Sequence, residues 1–179
     1  MKNVLTIFVP LFLLFILGCS PERQSQEIKR SFNQAFWVED YAQGLEFPWA
    51  MAWLPNGSLL VTERLGKIKL ISEDGEISEL QGAPKVLTAS PFDGLLDIKI
   101  DPDFNSNSQI YLTYTTGTAS ARTGIVYKAK LDEHKLLEGR EIYKTFPPAP
   151  TGGPNITRIQ FLPDKSMLVA VGSSGNPGS

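Results

Sequence analysis

The sequence predicts an all-β fold of the β-propeller class, on two observations. Short apolar strands recur throughout residues 36–179, and one cassette of strand, Pro-Asp or Pro-Asn, polar turn and second strand occurs three times. The copies are AMAWLPNGSLLVTE from Ala50, LLDIKIDPDFNSNSQIYLTYT from Leu95 and ITRIQFLPDKSMLVAVGS from Ile156. Their prolines, Pro55, Pro102 and Pro163, recur at intervals of roughly 45 to 60 residues, the span of one four-stranded blade. A β-sandwich is the competing all-β reading, but it gives no reason for the cassette to repeat.

From the N-terminus, Met1-Lys2-Asn3 is a short positive start, and Val4 to Leu17 is almost wholly apolar. That run is too short for a comfortable span and has the form of a secretory h-region. Ile16-Leu17-Gly18-Cys19 resembles the lipobox of bacterial lipoproteins. The resemblance implies that residues 1–18 are a signal peptide and that Cys19 carries the lipid. Ser20, in place of an aspartate, implies the outer membrane and a periplasmic location, with acyl chains holding the protein at the bilayer. An ordinary signal anchor with an incidental cysteine is the alternative. Residues 19–35 are polar without sustained apolar period and read as a tether.

The body, 36–179, then divides into units at about 45–82, 94–145 and 156–179. In the first unit the two cassette strands are followed by Lys67 to Ser72 and Glu76 to Leu80, with Glu73-Asp74-Gly75 as the turn. The second unit reads as Leu95–Asp101, Gln109–Thr115, Gly124–Leu131 and Arg140–Thr145. The third is only half complete and ends in the turn-like stretch Gly172 to Ser179. Since a closed propeller needs four or more blades, the expectation is the N-terminal part of a longer protein with open strand edges.

Composition narrows the function. With 42% hydrophobic and 20% charged residues the chain has the composition of a globular domain, and a net charge of -2 gives no general attraction to nucleic acid. One cysteine and one histidine exclude a disulfide framework and an intrachain Cys/His zinc site.

LEFPWAMAWLPNGSLLVTERLGKIKLI (Leu45 to Ile71) and GLLDIKIDPDFNSNSQIYLTYT (Gly94 to Thr115) resemble the start of the glucose/sorbosone dehydrogenase family. The likeness continues through KAKLDEHKLLEGREIYK (Lys128 to Lys144) and RIQFLPDKSMLVAVG (Arg158 to Gly172). It implies a six-bladed propeller, periplasmic or secreted, binding pyrroloquinoline quinone and calcium, with an aldose sugar as substrate and an external electron acceptor. Oxidising a sugar hydroxyl requires a base within hydrogen-bond reach of its oxygen as hydride leaves the carbon. An anionic planar quinone also asks for cations and a flat apolar wall. Family members carry a histidine ahead of the Gly-Arg-apolar motif of the third unit; aligned on Arg158, that place is Pro154 here. Phe92 stands at the family's glutamine, Asp93 at a glycine, and Ser173 at an acidic residue. The catalytic base expected by resemblance is therefore absent.

Other residues carry less. His134, amid Asp132, Glu133 and Lys135, reads as a solvated turn residue. Asp101, Asp103, Asn105 and Asn107 mimic the start of a calcium loop, but Ser106 and Leu112 replace its glycine and terminal glutamate, so a polar inter-strand turn is expected. Trp37, Trp49 and Trp53 are read as filling space between blades rather than as sugar-stacking platforms. Lys67 and Lys69 alternate with Ile68 and Leu70 as the wet face of a strand. Two functions remain: a quinone-dependent sugar dehydrogenase, incomplete or divergent, or a non-catalytic lipid-anchored propeller that binds a carbohydrate or protein partner.

Overall fold

The computed structural model describes residues 29–31, 34–149 and 156–172. The chain forms two compact units, Met1–Glu39 and Asp40–Ser179. In the first, β1 (Lys29–Ser31) pairs antiparallel with β2 (Gln34–Phe36), a three-residue ladder within the stretch whose composition suggested a tether.

The second unit is all-β but for one turn of helix. Its first sheet has the order β3 (Pro48–Trp53), β4 (Leu59–Glu63), β5 (Lys67–Ile71) and β6 (Ile77–Glu79), every neighbouring pair antiparallel. Its second is the meander β7 (Leu95–Ile100), β8 (Gln109–Thr118), β9 (Ala121–Asp132) and β10 (Lys135–Lys144), with α1 (Phe104–Asn107) in the β7–β8 turn. A third, two-stranded sheet pairs β11 (Ile156–Phe161) with β12 (Met167–Val171). The first strands of the three sheets come together, with β7 touching both β3 and β11. This is the arrangement of propeller blades, and the fold is a partial β-propeller.

Alternation within the cassette explains how the sheets stack. In one register Leu60, Ala50 and Ala52 of the first sheet meet Leu95, Ile98 and Leu112 of the second in a single buried cluster. The corresponding positions of the second sheet, Tyr111 and Val126, meet Ile156 and Ile159 of the third in another. Met51, Ile98 and Ile159 occupy equivalent repeat positions. The last two are enclosed, while Met51 lies exposed on the side of β3 turned away from the second sheet.

The same face of β3 carries Trp53. Trp53, one pleat along from Met51, is 54% exposed, with Tyr41 edge-on at 5.5 Å. Its face of β3 has no second sheet against it among the described residues. Trp37 is exposed and Trp49 half-buried. The fourth strand of the second sheet also begins earlier than expected. β9 and β10 are joined by the two-residue turn Glu133-His134, Glu133 taking a left-handed φ of 48°. Without a glycine this hairpin was hidden in a charged run.

Each first strand carries a β-bulge at the same place: between Pro48 and Ala50, Leu95 and Ile98, and Ile156 and Arg158. A bulge interrupts the ladder and leaves amides to be satisfied otherwise. In the first sheet the Thr62 hydroxyl accepts from the Ala50 amide at 3.1 Å, and in the second Thr113 accepts from Asp97 at 2.8 Å. Ala170 pairs opposite Arg158 in the third sheet and has no hydroxyl; there the Asp97 carboxylate of the neighbouring sheet accepts from the Ile159 amide.

Candidate functional site

The connections leading into β7 and β11 hold three of the four positions that the family resemblance implicated, Phe92, Asp93 and Pro154. Phe92 is 68% exposed on the loop before β7. Pro154, Ser173 and Cys19 lie outside the described residues.

Around Phe92 the backbone is fixed closely. Leu95 donates to the Arg64 carbonyl and Thr115 to that of Gly94, each at 2.9 Å, while Leu87 donates to Thr115 at 2.7 Å. Gly94 sits at φ 135°, and a Cβ there would stand 2.1 Å from the Arg64 oxygen, so the approach of the two chains requires glycine. The Arg64 guanidinium donates from Nη1 to the carbonyls of Ser90 (3.2 Å) and Asp93 (3.3 Å) and lies 5.3 Å from the Phe47 ring centre.

Two buried carboxylates flank the start of β7. Asp93 is fully enclosed and accepts on both oxygens from Arg122 Nε, at 3.1 and 3.2 Å. Arg122 also donates from Nη1 to the Ala119 carbonyl. Its backbone exchanges two hydrogen bonds with Ala149, at 2.8 and 2.9 Å, tying the segment that leads toward β11 to the edge of β9. Asp97 accepts from the Ile159 amide at 2.8 Å and from Arg158 Nη1 at 3.3 Å, joining the second sheet to the third.

Glu63, at the end of β4, is a third buried carboxylate, 1% exposed in its side chain. One oxygen accepts from the Glu46 amide at 2.6 Å, and the other has no hydrogen-bond partner. Its nearest cation, Lys69 Nζ at 3.9 Å, is bound at 2.8 Å to Glu79. Lys69 is therefore not on the wet face expected of it: its side chain is 15% exposed, and the Glu79 hydrogen bond outweighs burial to raise its pKa. Lys67 stays exposed, as alternation predicts.

The remaining sequence candidates fall at the other end of the strands. Asp101 accepts from the Asp103 amide, Asn107 Nδ2 and the Tyr111 hydroxyl, all at 2.9 Å, and Asp103 pairs with Lys165. Partial burial pushes the Asp101 carboxyl up, but these bonds outweigh it and hold the group below the usual aspartate value. This is the polar inter-strand turn that was expected. His134 is exposed in its turn, with Nδ1 3.2 Å from the Ser78 hydroxyl.

Sequence reasoning missed Asp97, Arg122 and Glu63. The signal was an acidic residue inside an apolar strand: Asp97 breaks the run LLDIKI, and a charge in such a place is kept only with a partner.

Chemically, the loop end joins a half-buried guanidinium, Arg64, to exposed rings of Phe47 and Phe92. A cation beside flat apolar surfaces suits an anionic planar quinone, so these residues fit one edge of such a cofactor. Among the described residues no three His, Cys, Asp or Glu side chains gather to hold a metal ion.

Antiparallel blades joined in sequence define the chain as a partial β-propeller. The chain belongs to the Glucose / Sorbosone dehydrogenase family, which it matches over residues 45–179. It is 37% identical over 142 residues to an uncharacterized protein of Synechocystis, covering 75% of this chain and 34% of that protein. To the aldose sugar dehydrogenase YliI of Escherichia coli it is 30% identical over 142 residues, covering 76% and 38%. Among solved structures, the PQQ-bound aldose sugar dehydrogenase of Streptomyces coelicolor superposes with a TM-score of 0.67 at 28% identity, over 86% of this chain and 43% of that one. The chain thus spans about two fifths or less of the length of these relatives.

Proposed function

We propose that the chain is the N-terminal part of a longer lipid-anchored periplasmic protein of the PQQ-dependent aldose dehydrogenase type. It would contribute to quinone and sugar binding but provide no base for the oxidation. One observation carries this: the position aligned with the family's histidine is Pro154. Proline accepts no proton. When bound, the quinone would take up the hydride that leaves the sugar carbon. Arg64 would face its negative charge and Phe92 its ring. Calcium is also implied by the family, and lipid on Cys19 would keep the protein at the outer membrane.

A non-catalytic propeller binding a carbohydrate or protein partner is the second reading. The Asp93–Arg122 pair favours it, since a buried salt bridge stands where the family has a glycine.

The test is to load the complete gene product with quinone and calcium, then measure quinone retained after gel filtration and aldose-dependent reduction of a redox dye. Retention without dye reduction is expected. Aldose-dependent reduction would refute the loss of the base, and absence of retention would favour the second reading. Cys19→Ala should move the protein from the membrane to the soluble fraction.

A further inference from the structure

At the end of the strands opposite Phe92, the first and second sheets line an open cavity of about 480 Å³. Leu70, Phe104 and Leu131 give it apolar walls. Its polar lining is different in kind from the arginine-rich loop end. Asn56, whose amide oxygen accepts from the Ser58 amide, and Asn105 on α1 are both exposed. His134 reaches Ser78 through Nδ1, which leaves Nε2 for a ligand, and Glu133 also lines the space. No lysine or arginine lines the space.

We propose that this cavity binds a neutral polyhydroxylated ring compound, a mono- or disaccharide, at a site separate from the loop end. The volume lies within the range of small-molecule sites. The lining has no cation to draw a phosphate or carboxylate, and a wholly apolar ligand would strand amide and imidazole groups without partners. A sugar satisfies both kinds of surface: its hydroxyls donate to Glu133 and accept from the asparagines, and its C–H face packs on Phe104 and the leucines. The strained turn is consistent with this use. Glu133 holds a left-handed backbone that favours glycine, and it places a carboxylate at the cavity.

His134 is the only histidine in the chain, so its imidazole signals in a proton NMR spectrum are assigned without mutagenesis. Titration of the protein with glucose and with maltose should shift those signals saturably, with a dissociation constant in the millimolar range. Asn105→Ala should raise that constant about tenfold. Glu133→Gly relieves the backbone and folds at least as well, yet should also weaken binding several-fold. Phe92→Ala, at the other end of the strands, should leave it unchanged, which separates this site from the quinone reading. The proposal fails if neither sugar shifts the signals at about 100 mM, if both cavity variants bind as tightly as the parent, or if a zinc salt or an alkylamine gives the saturable shift and the sugars do not.

Discussion

Replacing Asp97 by leucine should loosen the third sheet from the second while leaving the first in place. The Asp97 carboxylate is 1% exposed and accepts from the buried Ile159 amide at 2.8 Å. A hydrogen bond to a charged group contributes about 1.5–3 kcal/mol, and an amide left buried without a partner costs about 1–3 kcal/mol. Both figures describe one bond, and removing a buried charge recovers part of its desolvation, so a net loss of about 2–3 kcal/mol is expected for Asp97→Leu. Asp97→Asn keeps an acceptor oxygen and should lose about 1 kcal/mol. The Arg158 pair adds little, because its guanidinium side is 61% exposed and solvent screens it. Hydrogen exchange reads the effect where it occurs: in Asp97→Leu the Ile159 amide should exchange on the order of 100-fold faster, with Leu60 and Ile68 amides nearly unchanged. Equal urea midpoints for the leucine and asparagine variants, or unaltered protection at Ile159, would refute the role assigned to this carboxylate.

Other outcomes follow from the same geometry. Arg122→Met leaves Asp93 buried without its counter-ion and should destabilise by about 3–5 kcal/mol, read as a fall in melting temperature. Gly94→Ala forces a Cβ against the Arg64 carbonyl at φ 135° and should be among the most damaging single-methyl changes, above about 2 kcal/mol by urea denaturation. Tyr111 gives an alkaline signature. Burial and the Asp101 hydrogen bond push its phenol up to about 12 from 10, so its contribution to stability is complete below pH 10 and is lost as pH rises toward 12. In Tyr111→Phe the slope of stability against pH over that window should be shallower by one proton, and an unchanged slope would count against the assignment.

The blades were legible because their signals are local. Alternation in KIKLI, the Asp-Gly turn at 74–75 and the repeated Pro-Asp or Pro-Asn each arise from a few neighbouring residues, and β3 to β8 begin within a few residues of where those signals place them. The hairpin at Glu133-His134 was not legible, since it lacks the glycine that normally marks such a turn. Lys69 was misread for a related reason. Alternation tells which side of β5 it occupies, and a sequence does not show that a buried glutamate on the neighbouring strand β4 will share that side.

The loop end shows what an aspartate at position 93 requires once the packing is known. Asp93 could not be enclosed there alone, since an unpaired buried carboxylate is far too costly. Its partner comes from Arg122, 29 residues further along the chain, at the edge of β9 where Ala149 also docks. One substitution at the β7 entrance is thus physically coupled, through a single guanidinium, to the backbone that leads toward Pro154. If Asp93→Gly were introduced alone, Arg122 would be left as an enclosed cation, so this change should destabilise the chain. Recovery would require Arg122 to change as well, which a double-mutant cycle on melting temperature would show as a coupling of more than about 1 kcal/mol.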